Sequence, residues 1–118
     1  MSVRDVDVAR VADAVATLAV DACTDLGKDL VRFFEDALSR EESETGRDVL
    51  RQLLENAAMA REGGMPLCQD TGLAVVFLEI GQDVHLIGGD LEAAVNEGVR
   101  RGYTEGYLRK SAVADPIG

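Results

Sequence analysis

The chain has 118 residues, a length at which one modest core forms and a second full domain does not fit. Hydrophobic residues make up 47% and charged residues 29%, a globular balance rather than a disordered one. The 12 Lys and Arg face 22 Asp and Glu, and the formal net charge of -10 disfavours nucleic acid and anionic membrane surfaces, so a site for a dianion needs its own Arg residues or a metal.

The opening residues Met1–Asp7 interleave charges with valines and contain no long apolar run, so neither a signal peptide nor a membrane span is read there and a cytoplasmic protein is expected. Val8, Val11, Val15, Leu18, Ala19, Ala22 and Leu26 then recur at helical spacing, opposite Arg10, Asp13, Thr17 and Asp21, which predicts an amphipathic helix stopped at Gly27. Leu30, Val31, Phe34, Ala37 and Leu38 predict a second. Ser39-Arg40-Glu41-Glu42 has capping-box spacing and predicts the start of a third, whose apolar face is Leu50, Leu53, Leu54, Ala57 and Ala58 and whose end is Gly63-Gly64. The first half of the chain is thus expected to be helical throughout.

From Leu73 the pattern changes. The continuous apolar run Leu73–Leu78, bounded by Gly72 and Gly81, predicts a strand covered on both faces. Gly81-Gln82-Asp83 predicts a turn into a second short strand, Val84–Ile87, and Gly88-Gly89-Asp90 a break and N-cap for a last helix with Leu91, Ala94, Val95, Gly98 and Gly102 on one side. Each of those helix glycines costs roughly 1 kcal/mol relative to Ala, and close approach of another backbone is the physical reason to keep them. Asp115-Pro116-Ile117-Gly118 is a turn signal, so the chain is expected to be cut there rather than finished. The fold class expected is α+β, N-terminal helices followed by a small sheet and a further helix, with 1–118 as a single domain.

Cys68-Gln69-Asp70-Thr71-Gly72 lies at the mouth of the predicted first strand, after the loop Gly63-Gly64-Met65-Pro66, and carries the densest chemistry in the chain. A thiolate is a nucleophile and a ligand for soft metals and iron-sulfur clusters, whereas a buried thiol is only a small hydrophobe. Asp70 and Thr71 before a glycine also read as ordinary turn residues that bond nearby amides. A cysteine hydrolase needs a base, and His85, the single histidine, sits in a strand pattern where an exposed or satisfied role is the simpler reading. Cys23 and Cys68 come from a helix-like stretch and a loop, which argues against a disulfide framework. Arg100, Arg101, Arg109 and Lys110 form a local basic cluster, and Arg109 with Ser111 could bind a carboxylate through the planar guanidinium fork.

Pro66-Leu67-Cys68-Gln69-Asp70-Thr71-Gly72, Gly81-Gln82-Asp83-Val84, Glu97-Gly98-Val99 and Leu108-Arg109-Lys110-Ser111 with Asp115-Pro116 together resemble the class I fumarate hydratases and, equally, the alpha subunit of L-tartrate dehydratase. Over the helical first half the resemblance is looser and rests on Leu53-Leu54-Glu55-Asn56 and Ala60. It implies a hydro-lyase acting on a small hydroxy-dicarboxylate, fumarate and malate first and tartrate second. It also implies an oxygen-sensitive 4Fe-4S cluster held by three cysteines, of which Cys68 resembles the first. By the same resemblance Gln69 and Asp70 face the substrate, Gln69 bonding a carboxylate and Asp70 moving a proton, while Arg109 grips a carboxylate and Thr71 and Gly72 shape the loop.

The chain departs from the family in having no second and third ligand cysteine after Cys68. The resemblance therefore implies the N-terminal part of a longer subunit, completed by the remainder of that subunit or a beta-type subunit, in a homo-oligomer, with the fragment alone unable to hold a stable cluster. A helical interaction or dimerisation module is the rival from another class.

Overall fold

The computed structural model describes residues 2–117; Met1 and Gly118, which belong to the opening stretch and closing turn read above, lie outside the described residues. Six elements follow in order: β1 (Arg4–Asp7), α1 (Val8–Thr24), α2 (Lys28–Arg40), α3 (Glu44–Gly63), β2 (Val84–Ile87) and α4 (Leu91–Glu105). This is the α+β class expected, with four helices and one two-stranded sheet among the described residues. None of these helices is long and apolar enough to cross a membrane. Two compact units divide the chain, Met1–Val20 with Asp70–Gly118, and Asp21–Gln69.

In the first unit β1 and β2 run parallel, in register from Arg4 opposite Val84 to Asp7 opposite Ile87. The predicted strand Val84–Ile87 is present and alternates as a half-covered strand does, with Val84 and Leu86 half-buried and His85 and Ile87 outward. Its partner corrects the expectation that the front of the chain is helical throughout. Four residues in which Arg4, Asp5 and Asp7 outnumber Val6 carry no apolar period, so β1 exists because β2 supplies its ladder.

α1 and α4 supply the core of this unit. Val8, Ala12 and Ala94 are buried together with Leu86 packed against them. A side chain on Gly98 would place its Cβ 2.6 Å from the Ala12 carbonyl oxygen and 2.7 Å from the Val15 Cβ, and one on Gly102 would lie 2.8 Å from the Ala16 carbonyl oxygen. The helix glycines are thus the points of close backbone approach that their intrinsic cost implied. Asp90 caps α4 as expected, its Oδ2 accepting the Ala93 amide at 2.9 Å, and Arg101 reaches back to Asp13 at 2.7 Å.

The predicted strand Leu73–Leu78 is not formed. Residues 72–80 carry no ladder among the described residues, and Leu73, Val75 and Phe77 are 77%, 71% and 91% exposed. Apolar character makes a buried strand only where neighbouring strands satisfy the backbone and cover both faces, and neither is supplied here. Val76, Phe77 and Leu78 instead line a shallow cavity with Val11, Val15 and Leu18 of α1. The Cys68–Gly72 loop therefore does not open onto a buried strand.

In the second unit α2 packs against α3, which buries Ala57 and Ala60. The predicted cap at Ser39 is also corrected. Ser39 lies inside α2, its hydroxyl donating to the Asp36 carbonyl at 2.7 Å, and the cap of α3 is Ser43, whose Oγ accepts the Gly46 amide at 3.2 Å. Glu41 explains the shift: its backbone is extended and its carboxylate accepts the Ser43 amide, so α2 must end before a cap can act. α3 closes at Gly64 in the left-handed region.

Beyond α1, Asp25 accepts the Gly27 amide at 3.1 Å and Arg61 of α3 at 2.7 Å. The Gly27 amide first, and Arg61 after it, hold its carboxyl below the usual range. The stability it lends is therefore present above the ordinary carboxylate range and lost as pH falls through the lowered value.

Candidate functional site

Within the second unit, Leu67 is held by both of its backbone groups. Its amide donates to the Cys23 carbonyl in the last turn of α1 at 2.8 Å, and its carbonyl accepts the Asn56 side-chain amide from α3, also at 2.8 Å. Cys68 follows that pinned residue and is exposed, as is Gln69. Asn56 as holder of the loop was not predicted; its only signal was its place in the looser part of the family resemblance. Burial first, and the neighbouring Cys68 second, push the Cys23 thiol above its usual value.

Within the first unit, Asp70 begins a side-chain turn, its Oδ1 accepting the Gly72 amide at 3.0 Å, and Gly72 sits at φ 63, where an L side chain is strained. The turn role weighed for Asp70 is therefore present. It does not consume the site, because Thr71 carries the loop to a second element. The Thr71 hydroxyl donates to the Arg109 carbonyl at 2.6 Å, and the Tyr103 hydroxyl donates to the Thr71 carbonyl at 3.1 Å.

Arg109 is delivered there by the end of α4. The Gly106 amide bonds the Gly102 carbonyl at 2.9 Å, the Leu108 amide bonds the Tyr103 carbonyl at 3.0 Å, and Leu108 is buried. The chain thus leaves α4 with Arg109 beside the Asp70 turn. A cavity of about 280 Å³ borders this corner, lined among others by Gly72, Leu73, Arg100, Tyr103, Lys110 and Ser111. Arg100 is engaged by Glu97 at 2.6 Å and Arg101 by Asp13 at 2.7 Å, whereas among the described residues Arg109 and Lys110 make no ion pair. Of the four cations noted in the sequence, those two keep their charge available to an anion.

Tyr103 was missed by sequence reading, since a helical tyrosine at a core-facing position reads as packing. Tyr103→Phe deletes one hydrogen bond to the loop and is expected to cost about 1 kcal/mol in urea unfolding. An unchanged midpoint would remove Tyr103 from the set of groups that hold the turn.

The single histidine, His85, stands on β2 with Nδ1 3.1 Å from Asp5 Oδ1 and an exposed side chain, an outward strand histidine. No group of three or more His, Cys, Asp or Glu able to hold a metal ion occurs among the described residues. Cys68 therefore offers one sulfur, a donor type suited to iron-sulfur centres.

The family model described as fumarate hydratase (fumerase) matches residues 12–118. A Methanocaldococcus jannaschii protein provisionally named L(+)-tartrate dehydratase subunit alpha is 35% identical over 106 residues, 88% of this chain and 37% of that protein. The aerobic class I fumarate hydratase of Escherichia coli K12 is 45% identical over 71 residues, 60% of this chain and 13% of its own length. The L(+)-tartrate dehydratase subunit alpha of the same strain is 26% identical over 104 residues, covering 88% of this chain and 34% of the relative. The chain thus spans little more than a third of the Methanocaldococcus jannaschii protein and about an eighth of the aerobic fumarate hydratase.

Proposed function

Because the chain belongs to the fumarate hydratase family, we propose that residues 1–118 are the N-terminal part of the catalytic region of a cytoplasmic hydro-lyase that interconverts a hydroxy-dicarboxylate and its dehydrated product. Fumarate and malate are the first substrate pair and tartrate the second. The observation that supports this reading best is the 2.6 Å hydrogen bond from the Thr71 hydroxyl to the Arg109 carbonyl, which brings the backbone of Arg109, an arginine with no ion pair among the described residues, beside the Asp70 turn in a chain of that family. The exposed run Leu73–Leu78 supports an incomplete subunit, since apolar side chains left in water are ordinarily covered by something.

Arg109 grips one substrate carboxylate with two parallel N–H donors, and the Gln69 amide donates to a carboxylate as well. Asp70 accepts the proton from the carbon next to the one that loses its hydroxyl, and returns it in the hydration direction. The Gly72 amide on Asp70 Oδ1 orients that carboxylate, and the Tyr103–Thr71–Arg109 bonds hold the turn against the arginine's backbone. Cys68, exposed and following a residue bonded on both sides, fits as one thiolate ligand of a 4Fe-4S cluster whose other ligands come from outside these residues. When bound, such a cluster supplies a Lewis-acidic iron that polarises the hydroxyl. The rest of the subunit, or a beta-type subunit, completes the pocket, and the enzyme assembles as a homo-oligomer.

The reading is tested by anaerobic reconstitution of the complete subunit with iron and sulfide, followed by fumarate hydration and tartrate dehydration assays. A brown protein that hydrates fumarate is expected, while the 118-residue chain alone is expected to be inactive. A reconstituted protein without cluster absorbance or either activity overturns it. Arg109→Lys keeps the charge and loses the fork, so KM is expected to rise roughly tenfold with kcat nearly constant, the loss of one charge-assisted hydrogen bond. Unchanged kinetics in that variant would remove Arg109 from the pocket.

A further inference from the structure

The last turn of α1 and the loop after α3 meet at a backbone hydrogen bond, 2.8 Å from the Leu67 amide to the Cys23 carbonyl, and Cys68 is the next residue. Asn56 holds the same Leu67 from its carbonyl side, so the approach is fixed from two directions. Cys23 is half-buried and Cys68 exposed. A disulfide needs Cα atoms about 4.4–6.8 Å apart, a separation within reach of a backbone contact one residue away.

We propose that Cys23 and Cys68 form an oxidation site, a vicinal thiol pair that peroxide converts to an intrachain disulfide. The exposed Cys68 thiolate attacks hydrogen peroxide: an S–O bond forms, the O–O bond breaks, and the departing hydroxide takes a proton and leaves as water. The Cys23 thiol then attacks the Cys68 sulfur of that sulfenic acid; an S–S bond forms, the S–O bond breaks, and the departing hydroxide takes the proton that Cys23 gives up and leaves as a second water. The two thiols lose two electrons and the peroxide gains them. A low-molecular-weight thiol reverses the change by exchange. An oxidised Cys68 is not a thiolate and cannot ligate a metal, so the bridge withdraws that donor while sparing it from irreversible oxidation. The sequence contexts argue against a permanent disulfide framework, and a reversible bridge is the form that suits a reducing compartment.

The test uses the 118-residue chain prepared without iron or sulfide, treated with hydrogen peroxide, alkylated, and digested without reductant for mass spectrometry. One linked peptide pair joining Cys23 to Cys68 within a chain is expected, released by dithiothreitol. At about ten micromolar protein it should exceed cross-chain products roughly a hundredfold, because tethered groups meet at effective concentrations of millimolar order. In Cys23→Ser, Cys68 should persist as a sulfenic acid captured by dimedone. The proposal is overturned if the wild-type chain shows Cys68 oxidised while Cys23 remains open to alkylation, or if disulfides form only between chains. Neither readout uses catalytic activity, so failure here and failure of the hydro-lyase reading are separate results.

Discussion

Cys68→Ala in the complete, anaerobically reconstituted subunit is expected to abolish cluster absorbance and to lower the proposed fumarate hydration by at least about a thousandfold. The size follows from what is removed: metal activation of a poor leaving group contributes several kcal/mol to the transition state, and each 1.36 kcal/mol is about a factor of ten in rate. Stability should hardly move, because Cys68 is exposed and the bonds that pin its loop run through the backbone of Leu67. A variant that melts like wild type but is colourless and inactive is therefore the expected result. Cys23→Ala is the control, with its cluster and activity retained. If Cys68→Ala kept full absorbance and rate, the thiol would be only a loop residue and the proposed ligand role would be wrong.

Gly98→Ala lowers the stability of the first unit by roughly 1–3 kcal/mol, the range for overpacking a filled core. Two effects of opposite sign compete. Ala is the better helix former by about 1 kcal/mol, which favours the variant. Its Cβ, however, would stand 2.6 Å from the Ala12 carbonyl oxygen and 2.7 Å from the Val15 Cβ, so α1 and α4 must separate around a core that includes Val8, Ala12, Ala94 and Leu86. A backbone carbonyl cannot rotate aside as a side-chain tip can, and the clash wins. Gly81→Ala is the contrast: nothing lies within 4 Å of the added atom, and stability should stay within about 0.5 kcal/mol of wild type. Urea unfolding midpoints decide the matter, and a Gly98→Ala protein at least as stable as wild type would refute the close-approach account.

Local periodicity explains what was readable. The apolar stripes from Val8, Leu30 and Leu50 became α1, α2 and α3, and Asp90 capped α4 as its position implied, because a helix satisfies its backbone within its own residues. The glycines at 98 and 102 could be read as contact points for the same reason: their cost in a helix is known, so their presence asks for a compensating neighbour. Less local features escaped. Ser39 and Ser43 compete for one cap, and the choice depends on where α2 ends, which the extended Glu41 decides.

The candidate residues divide along the same line. Cys68, Gln69, Asp70 and Arg109 stand out by chemical type and by resemblance to a family, and both are properties of the chain read in one dimension. That the Thr71 hydroxyl meets the Arg109 carbonyl, or that Leu67 docks on Cys23, follows from helices that carry distant residues back to the same place.

By itself, then, the sequence determined the helices, the short strand Val84–Ile87, the acidic charge that demands local cations for a dianion, and the family to which the Cys68–Gly72 motif belongs. Tertiary structure alone decided that Arg4–Asp7 is a strand and that Leu73–Leu78 is not. A helix is closed by hydrogen bonds four residues apart, but a strand exists only when another segment supplies its partners, and four mostly charged residues found one while six apolar ones did not.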